Sequence, residues 1–158
     1  DGVVFGCLTP NGDIDLEANR LLLSHAKGMS VTFHRAFDHC RNPRQALDDL
    51  MTLGFDRVLT SGQKPTAFEG IPLLCELQRR AGGRIKIMAG CGVNEQNIAC
   101  IHKETGITNF HFSAREPIHS QMKYVNPDVY MGSKDADETT IMVTTKRRVE
   151  DIIQALLD

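Results

Sequence analysis

The chain has no run of about 18 consecutive apolar residues, so a membrane-spanning helix is excluded by length. It has no basic stretch followed by an apolar stretch at its start, so secretion is not expected. It has no excess of one charge: 18 Lys and Arg stand against 20 Asp and Glu, a net charge of −2. Its basic runs are short, Arg79-Arg80 and Lys146-Arg147-Arg148, and read as solvated helix faces. Nucleic acid is therefore not the expected partner. It has no C-x-x-C pair and no zinc-finger spacing among its 5 cysteines, so reduced thiols in a cytoplasmic protein are expected. Cys75 and Cys100 sit in apolar helical segments and read as small buried hydrophobes. Cys7, Cys40 and Cys91 fall at strand ends and stay open as soft-metal donors. What remains, 41% apolar and 24% charged residues in 158, is the composition of one folded domain.

What is present is a rhythm. Val3 to Leu8 is a short apolar run closed by the turn residues Thr9-Pro10-Asn11-Gly12. Asp15 reads as the N-cap of a helix ending at Gly28, and Val31 to Arg35 as the next strand. Asn42-Pro43 opens a second helix, lined by Ala46, Leu47, Leu50 and Leu53 up to Gly54. Arg57–Thr60 reads as a strand, residues 68–81 as a helix, Arg84–Ala89 as a strand, a helix capped by Asn94 follows, and Asn109–Ser113 is the fifth strand. Glu116–Thr144 reads as a long polar connection before a closing amphipathic helix.

Five strand–helix units imply a parallel sheet covered by helices. Their pitch of roughly 25 residues and the total length match five units of an eight-unit TIM-type (β/α)8 barrel, so an incomplete barrel lacking three units is expected. The alternative is a complete five-stranded doubly wound sheet of flavodoxin type. Side-chain alternation favours the barrel. Phe110 and Phe112 oppose Asn109, His111 and Ser113; Val31 and Phe33 oppose Thr32 and His34; Ile85 and Ile87 oppose Lys86 and Met88. A doubly wound sheet buries both faces and would read as apolar throughout.

In such barrels the site is built by the loops after the strands. His34, Arg35 and Asp38 follow the second strand, and His111 belongs to the fifth. These four are the candidates for acid–base work, each weighed against an ordinary hydrogen-bonded role. Thr60, Ser61, Gly62, Gly90, Gly92, Ser113 and Arg115 are the candidates for holding an anion. Gly90 and Gly92 permit close backbone approach, the helix start at Asn94 offers N–H groups, and Arg115 a fork of donors. The same glycines also serve a plain tight turn.

These strings carry a resemblance. Asp1-Gly2-Val3-Val4-Phe5-Gly6, Phe33-His34-Arg35-Ala36-Phe37-Asp38, Arg57-Val58-Leu59-Thr60-Ser61-Gly62, His111-Phe112-Ser113-Ala114-Arg115 and the later Met131-Gly132 are similar to the CutC copper-homeostasis family. The resemblance implies a TIM-like barrel of which this chain holds strands four to eight. It also implies copper handling, with a copper ion as ligand, but carries over no copper-ligating residue. Cys91 departs from the family, which has Gly or another small residue there. Three readings follow: a copper-binding protein with an anion pocket; an enzyme (lyase, isomerase or hydrolase) acting on a small phosphorylated or carboxylated molecule; and a truncated chain without activity. Unpaired sheet edges would also permit homo-oligomers.

Overall fold

The computed structural model describes residues 1–126, 128–129, 132, 137 and 139–157. Five strands lie side by side in chain order, all parallel: β1 (Gly2–Phe5), β2 (Ser30–Phe33), β3 (Arg57–Thr60), β4 (Lys86–Gly90) and β5 (Asn109–His111). The helices are α1 (Leu16–His25), α2 (Pro43–Leu53), α3 (Ile71–Ala81), α4 (Ile98–Thr105) and α5 (Lys146–Leu157). Each packs beside the next in chain order. A strand order that never reverses sends every right-handed crossover to the same side of the sheet. The flavodoxin order 2-1-3-4-5 contains such a reversal, and this sheet does not.

The two sheet faces differ accordingly. Val31, Phe33, Val58, Thr60, Ile87 and Ala89 point into the helices and are buried. Phe33 meets Phe55 edge-to-face at 5.4 Å, as does Phe5, which locks β1 and β2 against the start of β3. On the opposite face Val4 is 62% exposed, Lys86 and His111 are exposed, and Arg57, Leu59, Met88 and Asn109 are half-buried. No described element covers that face.

Local chemistry explains most helix starts. Asp15 accepts from Ala18 N at 2.9 Å, and Asn42 from Gln45 N at 3.2 Å ahead of Pro43. Two expectations need correction. First, α4 starts at Ile98 behind Asn97, not at Asn94. Asn94 and Asn97 brace each other instead: Asn97 Oδ1 accepts from Asn94 N at 2.9 Å, and Asn94 Oδ1 from Gln96 N at 2.9 Å. Second, Arg115 does not sit in a loop, and Glu116–Thr144 is not all connection. Arg115–His119 (β6) pairs antiparallel with Thr140–Thr144 (β7). The β-branched run Thr140-Ile141-Met142-Val143-Thr144 is the signal for β7. Smaller shifts move the start of α3 to Ile71 and end β2 at Phe33, where a 3-10 helix (Arg35–His39) follows.

Candidate functional site

His34 leaves β2 in extended backbone, and its Nδ1 accepts from Ala36 N at 3.3 Å, capping the 3-10 helix. A ring with Nδ1 as acceptor carries its neutral-state proton on Nε2. One turn on, Asp38 reaches across to the loop after β3, its side chain only 6% exposed. Its carboxylate accepts from Thr60 Oγ1, from Ser61 N at 3.1 Å, from Gln63 N at 3.2 Å and from Arg35 Nε at 2.7 Å. Ser61 Oγ lies 3.0 Å from Asp38 Oδ2 and 2.5 Å from the Lys64 carbonyl, and accepts from Arg35 Nη2 at 3.0 Å. With one proton, that hydroxyl donates to one of the two oxygens at a time.

The loop after β3 thus holds an anion already, and the anion is Asp38. Burial alone would push its carboxyl up, but donation from Thr60, Arg35, Ser61 and Gln63 outweighs this and holds it below the usual carboxylate range. The Asp38 hydrogen bond in turn raises the Arg35 guanidinium. Of the predicted anion-binding residues, Thr60 and Ser61 are fully buried, and Gly62 N donates to Thr60 Oγ1 at 2.9 Å. All three are committed to this internal network.

The loop after β4 is built differently. A Cβ on Gly90 would lie 2.6 Å from Leu59 Cδ1 and 3.3 Å from His111 Cβ, so a larger residue here would have to displace the tip of the Leu59 side chain. Cys91 follows with φ +79° and Gly92 with φ +72°. Cys91 Sγ donates to the Pro65 carbonyl at 3.0 Å, and Ala67 N to the Cys91 carbonyl at 2.9 Å, which clasps this loop to its neighbour. The N–H groups of Asn94, Gln96, Asn97 and Ile98 are all bonded within their own turn, so the helix start offers fewer donors than the sequence implies.

His111, the last residue of β5, and Ser113 beyond it are exposed, and Ala114 takes φ +46°. The Ser113 carbonyl accepts from Thr144 Oγ1 at 2.8 Å, and the Ala114 carbonyl from Thr145 N at 3.3 Å. Arg115 is exposed and forms no ion pair with a described residue. Among the described residues, the non-glycine ones in left-handed backbone, Gln63, Cys91 and Ala114, thus follow three successive strands. Such strain clusters where backbone is shaped for function. His34 and His111 are not brought together: three strand spacings separate them, roughly 14 Å along the sheet.

Asn19 lies outside the candidates named from the sequence. It is fully buried, accepts from Cys7 N at 3.1 Å and donates to the Cys7 carbonyl at 2.9 Å, pinning the loop after β1 to α1. A buried Asn on an otherwise amphipathic helix is a readable signal.

A model of the CutC family matches residues 1–116. The chain belongs to the CutC family. A CutC family protein of Bacteroides thetaiotaomicron is 59% identical over 99% of this chain, and one of Bacteroides fragilis 57% identical over 99%. A CutC protein of Vibrio cholerae is 43% identical over 98%. The chain spans 62–63% of the length of these relatives. It also resembles the solved structure of a Streptococcus agalactiae CutC protein, whose name refers to copper homeostasis. That likeness has a TM-score of 0.65 and 38% identity, over 68% of this chain and 53% of the other.

Within the CutC frame, Cys91 stands out because its left-handed backbone is one that glycine adopts without strain. Met131 lies outside the described residues. Among the described residues no three His, Cys, Asp or Glu groups gather to hold a metal. Cys40 is buried under Gln63, and burial plus the nearby Asp38 charge push its thiol up to about 11, far from the thiolate a soft metal takes. All five cysteines are unpaired, and no helix among the described residues is long and apolar enough to cross a membrane.

Proposed function

We propose that this CutC chain is a five-unit section of a TIM-type (β/α)8 barrel that binds a small anion, phosphate or carboxylate, where the loops after β4 and β5 meet. The observation that carries this reading is the left-handed turn at Cys91-Gly92 and at Ala114, immediately ahead of Arg115, a guanidinium with no described carboxylate to neutralise it. Asp38 fills the corresponding place after β3, so the loops after β4 and β5 are the ones left for a ligand. These are also the positions that hold phosphate in complete barrels, after the last two strands. Arg115 supplies the fork of donors, Ser113 a hydroxyl and His111 a solvent-facing imidazole that can move a proton. Arg35, His34 and Asp38 shape the rim without touching the ligand.

Titration of the chain with inorganic phosphate and with a small dicarboxylate, followed by thermal shift and calorimetry, tests this. Saturating phosphate raises stability by about 2.7 kcal/mol at a hundredfold excess over Kd. Arg115→Ala weakens binding at least tenfold, while Arg35→Ala does not. Absence of a shift with both anions removes the proposal and leaves the reading of a chain inactive by itself. Enzymatic turnover at His111 is the further step if an anion binds.

Copper binding is the second reading, favoured by the name of the Streptococcus agalactiae relative. With no three-donor group among the described residues, Cu(I) titration against a competing chelator is expected to give no micromolar site on this chain alone. A cytoplasmic setting agrees with the unpaired cysteines.

A further inference from the structure

The uncovered face of the sheet carries a charge conflict. The β3–β4 register sets Arg57 directly opposite Lys86, and both point away from the helices. Like charges directly opposite destabilise a sheet. Arg57 donates Nη1 to Thr32 Oγ1 at 3.1 Å, yet its Nε is buried with no partner. Neither cation forms an ion pair with a described carboxylate. The adjacent Asp56 instead accepts from Val31 N at 2.7 Å. Two residues further toward the strand C-termini the same face turns apolar, with Leu59 beside Met88, while Val4, 62% exposed, lies in the Thr32–Arg57–Lys86 row. The surface is thus an apolar band above a cationic floor.

Whatever covers this face must neutralise the floor, because burying two unpaired cations costs several kcal/mol each. A second copy of the same face would bring two more cations and is repelled. The longer relatives suggest another occupant: the chain spans 63% of the Bacteroides thetaiotaomicron protein, which leaves roughly 90 residues, the length of three βα units. We infer that the face docks those three units, and that the docked segment presents a carboxylate between Arg57 and Lys86 and apolar side chains over Val4, Leu59 and Met88. The inference rests on the barrel reading and adds the chemistry of the contact.

The test is complementation. The part of the Bacteroides thetaiotaomicron relative outside the match is coexpressed with this chain, and the complex is sized by light scattering and its Kd measured by anisotropy. A 1:1 complex is expected, weakened at least tenfold by Arg57→Met and by Lys86→Met, and changed less than threefold by Arg57→Lys or by Lys103→Met on the helix side. A complex indifferent to Arg57→Met and Lys86→Met overturns the charge inference but leaves the barrel standing. No complex, or only self-association, overturns both. Lys86→Glu adds a readout without the partner: it supplies the missing acid across from Arg57. It is expected to raise the urea midpoint of the isolated chain while weakening the complex at least tenfold. A lowered midpoint refutes the claimed repulsion.

Discussion

Replacing Asp38 by Asn keeps the shape of the side chain and removes its charge. In the native protein the two carboxylate oxygens take donors from four residues, Arg35, Thr60, Ser61 and Gln63. An amide offers one acceptor oxygen and turns an NH2 group toward the donors that faced the other. Hydrogen bonds to a charged group contribute about 1.5–3 kcal/mol each, and the Arg35 pair is discounted because its guanidinium side is 43% exposed. Loss of about two such bonds places the destabilisation at about 3–4 kcal/mol. Urea unfolding followed by circular dichroism measures it as a lower midpoint at unchanged slope. The pH dependence has a fixed sign. Asp38 titrates below its unfolded value of about 3.9, so its contribution is fully present above that pH and is lost as pH falls through the folded value. Asp48, Glu76, Glu116 and Asp137 are also held low, chiefly by hydrogen bonds from Arg80, Arg44, Thr145 and Thr139, so total stability also falls there. The wild-type minus Asp38→Asn difference isolates Asp38: it stays constant from pH 7 to about 5 and shrinks below about 4. A difference under about 0.5 kcal/mol at pH 7, or one that grows on acidification, refutes the account of Asp38 as the anion held by this loop.

Two further outcomes follow from the backbone around the rim. Gly70→Ala places a Cβ 1.8 Å from the Ser61 carbonyl oxygen, so destabilisation of about 3 kcal/mol or failure to accumulate folded chain is expected in a thermal melt. A neutral effect would show that the close approach of α3 to the β3 loop is not needed. Cys91→Gly relieves left-handed strain of about 1–2 kcal/mol against a flexibility penalty of about 0.5–1 kcal/mol, so the melting temperature is expected to rise slightly. A fall would mean that the Sγ bond to Pro65 outweighs the strain.

The parts of this fold legible in the sequence are those fixed by neighbours along the chain. Asp15 and Asn42 cap their helices because the acceptor and the N–H it serves are three residues apart. The alternation of Ile87 with Lys86 and Met88 is written in the order of residues and appears as one buried and one uncovered face, whereas in β2 Thr32 is buried along with Phe33, because Arg57 from the next strand reaches over it. The start of α4 was harder to read because Asn94 and Asn97 are both good caps, and the choice depends on the turn they build together. The role of Asp38 could not be read, since its partners Thr60, Ser61 and Gln63 lie 22 to 25 positions away and meet it only once β2 and β3 pair. The same holds for Gly70, whose requirement comes from a carbonyl in another loop. The hairpin of β6 and β7 is masked in the sequence because Glu116–Thr144 reads as polar as a whole, while its β-branched signal occupies only the last few residues.

The strictly sequential strand order gives the molecule a nearly one-dimensional energetics. Each strand–helix unit touches the one before and the one after, so its free energy is an intrinsic value plus two adjoining terms. Among the described units the middle one, built on β3, has two neighbours, and the outer ones, built on β1 and β5, have one described neighbour each. Opening of this five-strand section is therefore expected to fray from its outer units toward β3, and an insertion within an outer unit to leave the registers of the interior strands untouched.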